Sequence, residues 1–228
     1  AIFNGFGGGA SALVAAAEFL KTGDITTFTV STIMISVFVG TLTFTGSFVA
    51  FGKLQGFISG KPVVFPGQQI INGLLALALL FMGIYVVTTA AEINLFFGVI
   101  SVAAILGITL TIPIGGADMP VVISLLNSYS GIAATATGFV LMNNGLIIAG
   151  SLVGASGLIL TNIMCKGMNR SLGNVLFSAF GKIDKTKNEI NKTAKGITIK
   201  EMSTENAAYT MQAAESVIIV PGYGMAVA

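Results

Sequence analysis

Four long stretches of this sequence, residues 25–52, 62–91, 93–117 and 119–165, contain no Asp, Glu, Lys or Arg. A soluble domain carries about 25% charged residues, whereas only 9% of this chain is charged. A helix needs about 20 apolar residues to cross the hydrocarbon core of a bilayer. The sequence therefore predicts an integral membrane protein in contact with lipid, and its net charge of +2 gives no indication of nucleic-acid binding.

The apolar stretches divide into six candidate transmembrane helices, which predicts an all-α polytopic membrane bundle. Each division coincides with residues that interrupt helices, such as the Pro- and Gly-containing loop 53–67 and the break 113–116. Asp118 and Pro120 suit the cap and the first turn of the helix that follows. The predicted helices cover residues 1–20, 26–51, 69–89, 92–112, 119–142 and 145–165.

Lys and Arg residues predict the orientation of this bundle. With six spans, the loops 53–67 and 113–118 share one side of the membrane with the tail after residue 165. That side carries Lys53, Lys61, Lys166 and Arg170, whereas the opposite loops carry only Lys21. By the positive-inside rule the shared side is the cytoplasm, or the matrix of an organelle. We expect a bacterial inner membrane, with the mitochondrial inner membrane as the alternative.

The fifth predicted helix is unusually polar for its depth. Asp118 at its start is the only charged residue between Glu92 and Lys166, and Asn127 lies about 13 Å further along. Small and polar residues fall on one face of this helix, and the sixth helix has a similar stripe. These residues are Ser124, Asn127, Ser128, Gly131, Thr135 and Gly138 in the fifth helix, and Gly150, Gly154, Gly157 and Thr161 in the sixth.

Two interpretations of this polar helix remain open. Small residues and hydroxyls are typical of close packing between membrane helices, in which Asp118 would be a helix cap and Asn127 an interhelical partner. Alternatively, Asp118 is a protonatable or docking group at the mouth of a polar path, and Asn127 binds water within it. The chain contains no histidine, which is the usual proton carrier.

The segment Phe3-Asn4-Gly5-Phe6-Gly7-Gly8-Gly9-Ala10 resembles Leu126-Asn127-Ser128-Tyr129-Ser130-Gly131-Ile132-Ala133. Each segment is followed by a helix that ends near a Lys. A duplicated helix pair would make Asn4 and Asn127 equivalent positions, whereas shared composition would explain the match without duplication.

The tail after residue 165 predicts two further regions. We expect a hinge and linker over 166–202, after a membrane domain over 1–165, and the start of a nucleotide-binding domain over 203–228. There, an apolar strand over 216–220 leads into Gly222-x-Gly224-x-x-Val227, the first βα turn of a Rossmann-like fold. An ordinary tight turn is the alternative. Because only the opening of that fold is present, we expect this chain to be part of something longer and not to bind a nucleotide by itself.

Four blocks of sequence resemble the proton-translocating nicotinamide nucleotide transhydrogenase family. The part that they resemble is the membrane segment of the beta subunit, together with the start of its NADP(H)-binding domain. The blocks are GGADMPVVISLLNSYSG, IMCKGMNRS, TFTGSFVAFGKL and VIIVPGYGMAVA. The resemblance covers nearly the whole chain and is weakest over 68–112 and 175–200.

This resemblance implies an enzyme complex in which hydride passes from NADH to NADP+ while protons cross the membrane. It implies that NADP(H) binds to the domain beginning near Ser216, and that NAD(H) binds to a partner subunit or domain. The implied partners are that NAD(H)-binding component, the remaining transmembrane segments, and a second copy of the whole complex in a dimer. The fragment alone is expected to be inactive.

The residues assigned to the proton path and its coupling are Asp118, Asn127, Ser128, Asn143, Ser156, Gly157 and Arg170, and those assigned to the cofactor are Gly222, Tyr223, Gly224 and Val227. No catalytic residue and no metal ligand is assigned. Many members of the family carry a histidine in the helix before TFTGS, where our register places Thr29. The resemblance therefore implies that the membrane histidine lies on the partner membrane segment.

Two other classes of function remain open at this point. A secondary transporter or channel with a nucleotide-sensing regulatory tail would also use polar residues at mid-membrane. A structural membrane anchor would leave Asp118 and Asn127 without a role. Only the segment VIIVPGYGMAVA argues against a transporter, and further nucleotide-binding loops after Ala228 would exclude it.

Overall fold

The computed structural model describes residues 1–21, 26–89, 93–177 and 203–218, and all the regular structure among these residues is helical. A 3-10 turn, Gly116–Asp118, precedes α5. The helices are α1 (Ile2–Phe19), α2 (Thr27–Leu54), α3 (Gln68–Thr89), α4 (Ile93–Thr111), α5 (Met119–Val140), α6 (Asn144–Gly167), α7 (Leu172–Phe177) and α8 (Thr204–Ala213).

The six long helices lie at the six predicted positions, but the predicted number of spans needs a correction. Five of the described helices are long and apolar enough to cross a membrane, namely α2, α3, α4, α5 with its 3-10 turn, and α6. Helix α1, which contains Asn4 and Glu18, is not among them. It packs against α2 and α5 nonetheless.

The chain divides into two compact units, residues 1–179 and 180–228. In the first unit, α2 and α5 form the centre, with 67% and 56% of their apolar segments buried. Helix α2 packs against α1, α4 and α5, while α6 packs along α5. Only 11% of the corresponding segment of α3 is buried, so this helix lies at the periphery against α4.

Glycine lets α1 and α2 approach closely at the centre of the bundle. A Cβ atom on Gly8 would lie 2.8 Å from the carbonyl oxygen of Gly40, and one on Gly40 would lie 2.5 Å from the carbonyl oxygen of Gly8. In lipid, where apolar burial does not drive helices together, such backbone proximity supplies the packing contacts. Helix α1 is therefore an integral part of the bundle, although it is not among the five candidate spans.

The described part of the second unit is the short helix α8. Ser203 caps it, since its Oγ accepts a hydrogen bond from the amide of Asn206 at 3.3 Å. Residues 216–218 of the predicted strand have no regular structure. Residues 219–228 lie outside the described part of the chain, as do residues 178–202 of the predicted hinge and linker and Glu92, so the Rossmann-like turn stays a prediction.

Candidate functional site

Asp118 forms an ion pair with Arg170. Arg170 Nη1 donates to Oδ1 of Asp118 at 2.9 Å and to Oδ2 at 2.8 Å. The Asp118 side chain is 12% exposed and that of Arg170 is 48% exposed. Asp118 occupies the N-cap position of α5, but its side chain accepts no capping hydrogen bond. Its carboxylate therefore binds the arginine, and the side-chain cap expected in the packing interpretation is not formed, although Asp118 does occupy the predicted cap position.

The end of α6 positions Arg170. Asn169 adopts a left-handed backbone conformation with φ of 53°, in which Asn is tolerated better than most residues. The amides of Asn169 and Arg170 then donate to the carbonyl oxygens of Lys166 and Cys165 at 3.0 Å and 2.9 Å. This Schellman motif reverses the chain as it leaves the helix. It brings Arg170 to the start of α5, whereas Lys166 is exposed.

The contact between α5 and α6 is formed by glycine and serine. Ser128, which is fully buried, donates through Oγ to the carbonyl oxygen of Gly154 at 2.5 Å. Ser124 Oγ donates to the carbonyl oxygen of Gly157 at 3.3 Å. A Cβ atom on Gly157 would lie 2.9 Å from Cα of Ser128, and one on Gly131 would overlap the backbone nitrogen of Gly154. These small residues therefore let the two backbones touch.

Asn127 does not share that buried face, and the single-face prediction for α5 is corrected on this point. Asn127 is exposed on the surface of this chain, whereas Ser124 and Ser128 are buried against α6. Consecutive helical residues differ in direction by about 100°, so Asn127 lies at the edge of the stripe. An amide facing lipid at this depth is costly. The position therefore favours another polar or protein surface beside it.

Next to Asn127, polar side chains from three helices form a cluster. Ser130 Oγ donates to Oδ1 of Asn4 at 2.7 Å and also approaches the carbonyl oxygen of Asn127 at 2.8 Å. The Nδ2 of Asn4 donates to Oγ of the buried Ser47 at 3.2 Å. The sequence singled out Asn4 as a possible counterpart of Asn127, but no pattern within one helix indicates that Ser47 and Ser130 both bind it.

A second cluster of hydroxyls lies about two turns further along α5. Ser36 and Thr137 share a hydrogen bond of 2.7 Å between their hydroxyl oxygens, and both are buried. Both hydroxyl oxygens also lie within hydrogen-bond distance of the carbonyl oxygen of Ser11, at 3.2 Å and 3.3 Å. Sequence analysis missed Ser11 and Thr137. The only signal for Thr137 is its spacing of seven residues from Ser130, which places both on the side of α5 that faces α1 and α2.

The remaining assigned residues have local structural roles. Asn143 caps α6, because its Oδ1 accepts from the amide of Leu146 at 3.1 Å. Ser156 is exposed and donates to the carbonyl oxygen of Val153 in its own helix at 3.1 Å. Thr29, at the predicted histidine register, lies in the first turn of α2 and bonds to Thr26. The cofactor residues Gly222, Tyr223, Gly224 and Val227 lie outside the described residues.

Comparison with known proteins gives a consistent result. The sequence model of the NAD(P) transhydrogenase beta subunit family matches residues 1–228. Two relatives from Rhodospirillum rubrum, both named NAD(P) transhydrogenase subunit beta, are 51% identical to this chain over 190 residues. The matched region is 83% of this chain and 40% of each relative, so the chain spans about two fifths of the length of the curated relatives it matches.

Proposed function

This chain belongs to the NAD(P) transhydrogenase beta subunit family, and on that premise we propose that it couples nucleotide chemistry to proton movement. Its five apolar helices and its family identify it as an integral inner-membrane protein. The match over the full 228 residues disfavours the alternative of a transporter with a regulatory tail.

In the proposed reaction, hydride passes from NADH to NADP+ while protons cross the membrane. This chain supplies part of the proton path and the start of the NADP(H)-binding domain, with Gly222, Tyr223, Gly224 and Val227 at the nucleotide. A partner subunit or domain binds NAD(H). The remaining transmembrane segments complete the bundle, and the whole complex is a dimer.

The observation that carries this proposal is the ion pair between Asp118 and Arg170. It joins the start of α5 to the chain segment that leads towards the predicted nucleotide-binding domain. The Asp118 side chain is only 12% exposed, whereas that of Arg170 is 48% exposed, and a poorly hydrated charge without a partner is unfavourable. A movement that withdraws Arg170 therefore makes the Asp118 carboxylate become hydrated or move with the arginine. Each response changes the cytoplasmic mouth of the bundle.

Along the membrane, the cluster of Asn4, Ser47 and Ser130 supports a polar path beside Asn127. Hydroxyl and amide groups donate and accept hydrogen bonds, so they can order water molecules although none titrates near neutral pH. These 228 residues contain no histidine, and in the proposed path a partner membrane segment supplies the titratable group. The exposed position of Asn127 suits this arrangement, since a neighbouring helix there would cover a costly amide.

The ion pair provides the test of this function. In the complete complex, reconstituted in sealed vesicles, we expect Asp118→Asn and Arg170→Gln each to reduce proton movement per hydride transferred by about tenfold. Lys166→Gln is the matched control, because Lys166 is an exposed cation four residues before Arg170. A pH-sensitive dye follows the protons, and nucleotide absorbance follows the hydride. Normal coupling in both ion-pair variants would contradict the proposal.

A further inference from the structure

Lys53, at the end of α2, is one of two buried charged side chains among the residues described, and the other is Asp118. Lys53 is 5% exposed and Asp118 is 9% exposed. Withdrawing an ammonium group from water is costly unless polar partners replace the lost hydration. The burial of Lys53 therefore has to be explained by what its Nζ atom binds.

Three backbone carbonyl groups bind the ammonium group of Lys53. Nζ donates to the carbonyl oxygens of Ile112 at 2.5 Å, Ile114 at 2.8 Å and Lys61 at 3.2 Å. An ammonium group has three hydrogens, so each has a partner. Ile112 directly follows α4, where the unpaired carbonyl groups and the helix dipole favour a cation. No carboxylate of the described residues forms an ion pair with Lys53.

These carbonyl groups belong to two loops on the side of the membrane that carries Asp118. Lys61 lies in the loop between α2 and α3, and Ile112 and Ile114 lie in the segment before Asp118. The loops also bind each other, since the amide of Gly116 donates to the carbonyl oxygen of Gly60 at 2.8 Å. Lys53 thus lies at the junction of both loops and fixes the segment that ends at Asp118.

We propose that Lys53 is a positioning residue that holds the 112–118 segment so that Asp118 meets Arg170, a role that rests on the proposed function. Lys53 transmits no proton and contacts no nucleotide in this role. Lys53 holds Asp118 in a fixed position, so that a displacement of Arg170 changes the surroundings of a carboxylate that does not itself drift. Without the ammonium group, three carbonyl oxygens lose this charged donor, although the Ile112 oxygen keeps the amide of Val63 at 3.4 Å, and the segment before Asp118 loosens.

A role in helix capping alone makes a different prediction from a positioning role. If Lys53 only satisfied the end of α4, its loss would lower the amount and stability of the complex but leave each assembled complex fully coupled. If Lys53 positions Asp118, assembled complexes lose coupling as well. The ratio of protons moved to hydride transferred in purified, assembled complexes separates the two roles.

The test compares Lys53→Met with Lys21→Met in the complete reconstituted complex. Lys21 is a suitable control, because its side chain is 68% exposed and pairs with Glu18 at the opposite end of the bundle. For Lys53→Met we expect about a tenfold fall in protons moved per hydride, with the KM for NADP(H) changed less than about twofold. Amide hydrogen exchange of residues 112–118 should also accelerate, while that of the turn at 142–146 stays unchanged.

Unchanged coupling or unchanged exchange at 112–118 in Lys53→Met overturns the inference. If Lys53→Met does not assemble, Lys53→Gln, which keeps two of the three donors, is judged by the same two measurements. The Asp118→Asn variant separates the two hypotheses. If coupling is impaired in Asp118→Asn but normal in the Lys53 variants, only the positioning role is rejected. If coupling is normal in both Asp118→Asn and Arg170→Gln, the proposed function itself is rejected.

Discussion

Helix α5 has one closed face and one open face. On the closed face, Ser128 and Gly131 touch the backbone of α6 directly, which leaves no room for water. On the open face, Asn127 is exposed and Ser130 binds Asn4 in a partly buried cluster. Both faces are rich in small and polar residues, so composition does not distinguish them. What distinguishes them is the partner: backbone atoms on the closed face, and side chains of three helices on the open one.

This difference distinguishes residues of α5 that pack helices together from residues of α5 that offer hydrogen bonds to water or to a partner helix. Hydroxyl groups that donate to carbonyl oxygens of a touching helix strengthen packing. Side chains that bind one another beside an exposed amide offer donors and acceptors that water or a partner helix can use. We therefore propose a packing role for Ser128 and Gly157, which the resemblance placed on the proton path, and Asn127 stays a predicted residue of that path.

The largest effect is expected from closing the gap between α5 and α6 with a side chain. Gly131→Leu places a side chain where the backbone of Gly154 lies, so the two helices have to separate and the complex should not assemble. The measurement is the yield of intact complex from membranes. Gly73→Leu is the control, since nothing lies within 4 Å of a Cβ atom there. Equal yields of the two variants would mean that the backbones of α5 and α6 are not in direct contact at Gly131 in the assembled protein.

A large effect on coupling, without a loss of folding, is expected on the open face. Asn127→Leu should reduce proton-coupled hydride transfer by about tenfold while NADP(H) binding and yield remain normal, because the residue is exposed. Asn162→Leu is the control, as Asn162 is an exposed amide on α6. The measurements are proton uptake, hydride transfer and nucleotide binding by the complete complex. Wild-type rates of proton-coupled hydride transfer in Asn127→Leu would show that the open face of α5 has no part in proton movement.

A smaller effect is expected at the buried hydroxyl of the closed face. Ser128→Ala removes the hydrogen bond to Gly154, so the stability of the bundle should fall by about 1 kcal/mol. Denaturation of the purified complex in mixed micelles measures this change. Coupling should stay normal. A coupling defect as large as that of Asn127→Leu would instead show that this hydroxyl belongs to the chemistry of the open face.

The smallest effect is expected at Ser156, which sequence analysis also placed on the proton path. Ser156 is exposed and its hydroxyl bonds within α6. Ser156→Ala should therefore change the stability of the bundle by less than about 0.5 kcal/mol. The same denaturation experiment checks this value, with Ser128→Ala as the internal reference. A larger loss would place Ser156 in a contact comparable with that of Ser128.

The helices were predictable from the sequence because hydropathy and helix-breaking residues define their ends within a few positions. Asp118 and Arg170 were both predicted as coupling residues, but their pairing was not. It depends on a left-handed turn at Asn169, for which the sequence has no glycine as a signal. Lys53 is a similar case, since the sequence shows only a cation at a helix end, and its burial results from two loops folding over it.

The faces of α5 were only partly predictable for a related reason. Spacings of three and four residues place Ser124, Asn127, Ser128 and Gly131 along one stripe, but they do not show which members of the stripe contact α6. The cluster of Ser36 and Thr137 escaped prediction because part of what it binds is backbone of α1, which leaves no trace in residue identity.

Helices α5 and α6 are joined at both ends, by a turn at one end and by the ion pair at the other. At that turn, Met142 takes a left-handed conformation with φ of 52°, and the amide of Asn143 donates to the carbonyl oxygen of Gly138 at 2.8 Å. Asp118 and Arg170 fasten the other end of the same helix pair. Residues 118–170 therefore form a closed loop of chain, held along its length by the contact between α5 and α6 and closed at its ends by the ion pair. A displacement of the polypeptide after residue 170 acts on this loop first at the ion pair, because Arg170 is the residue at which the chain leaves it.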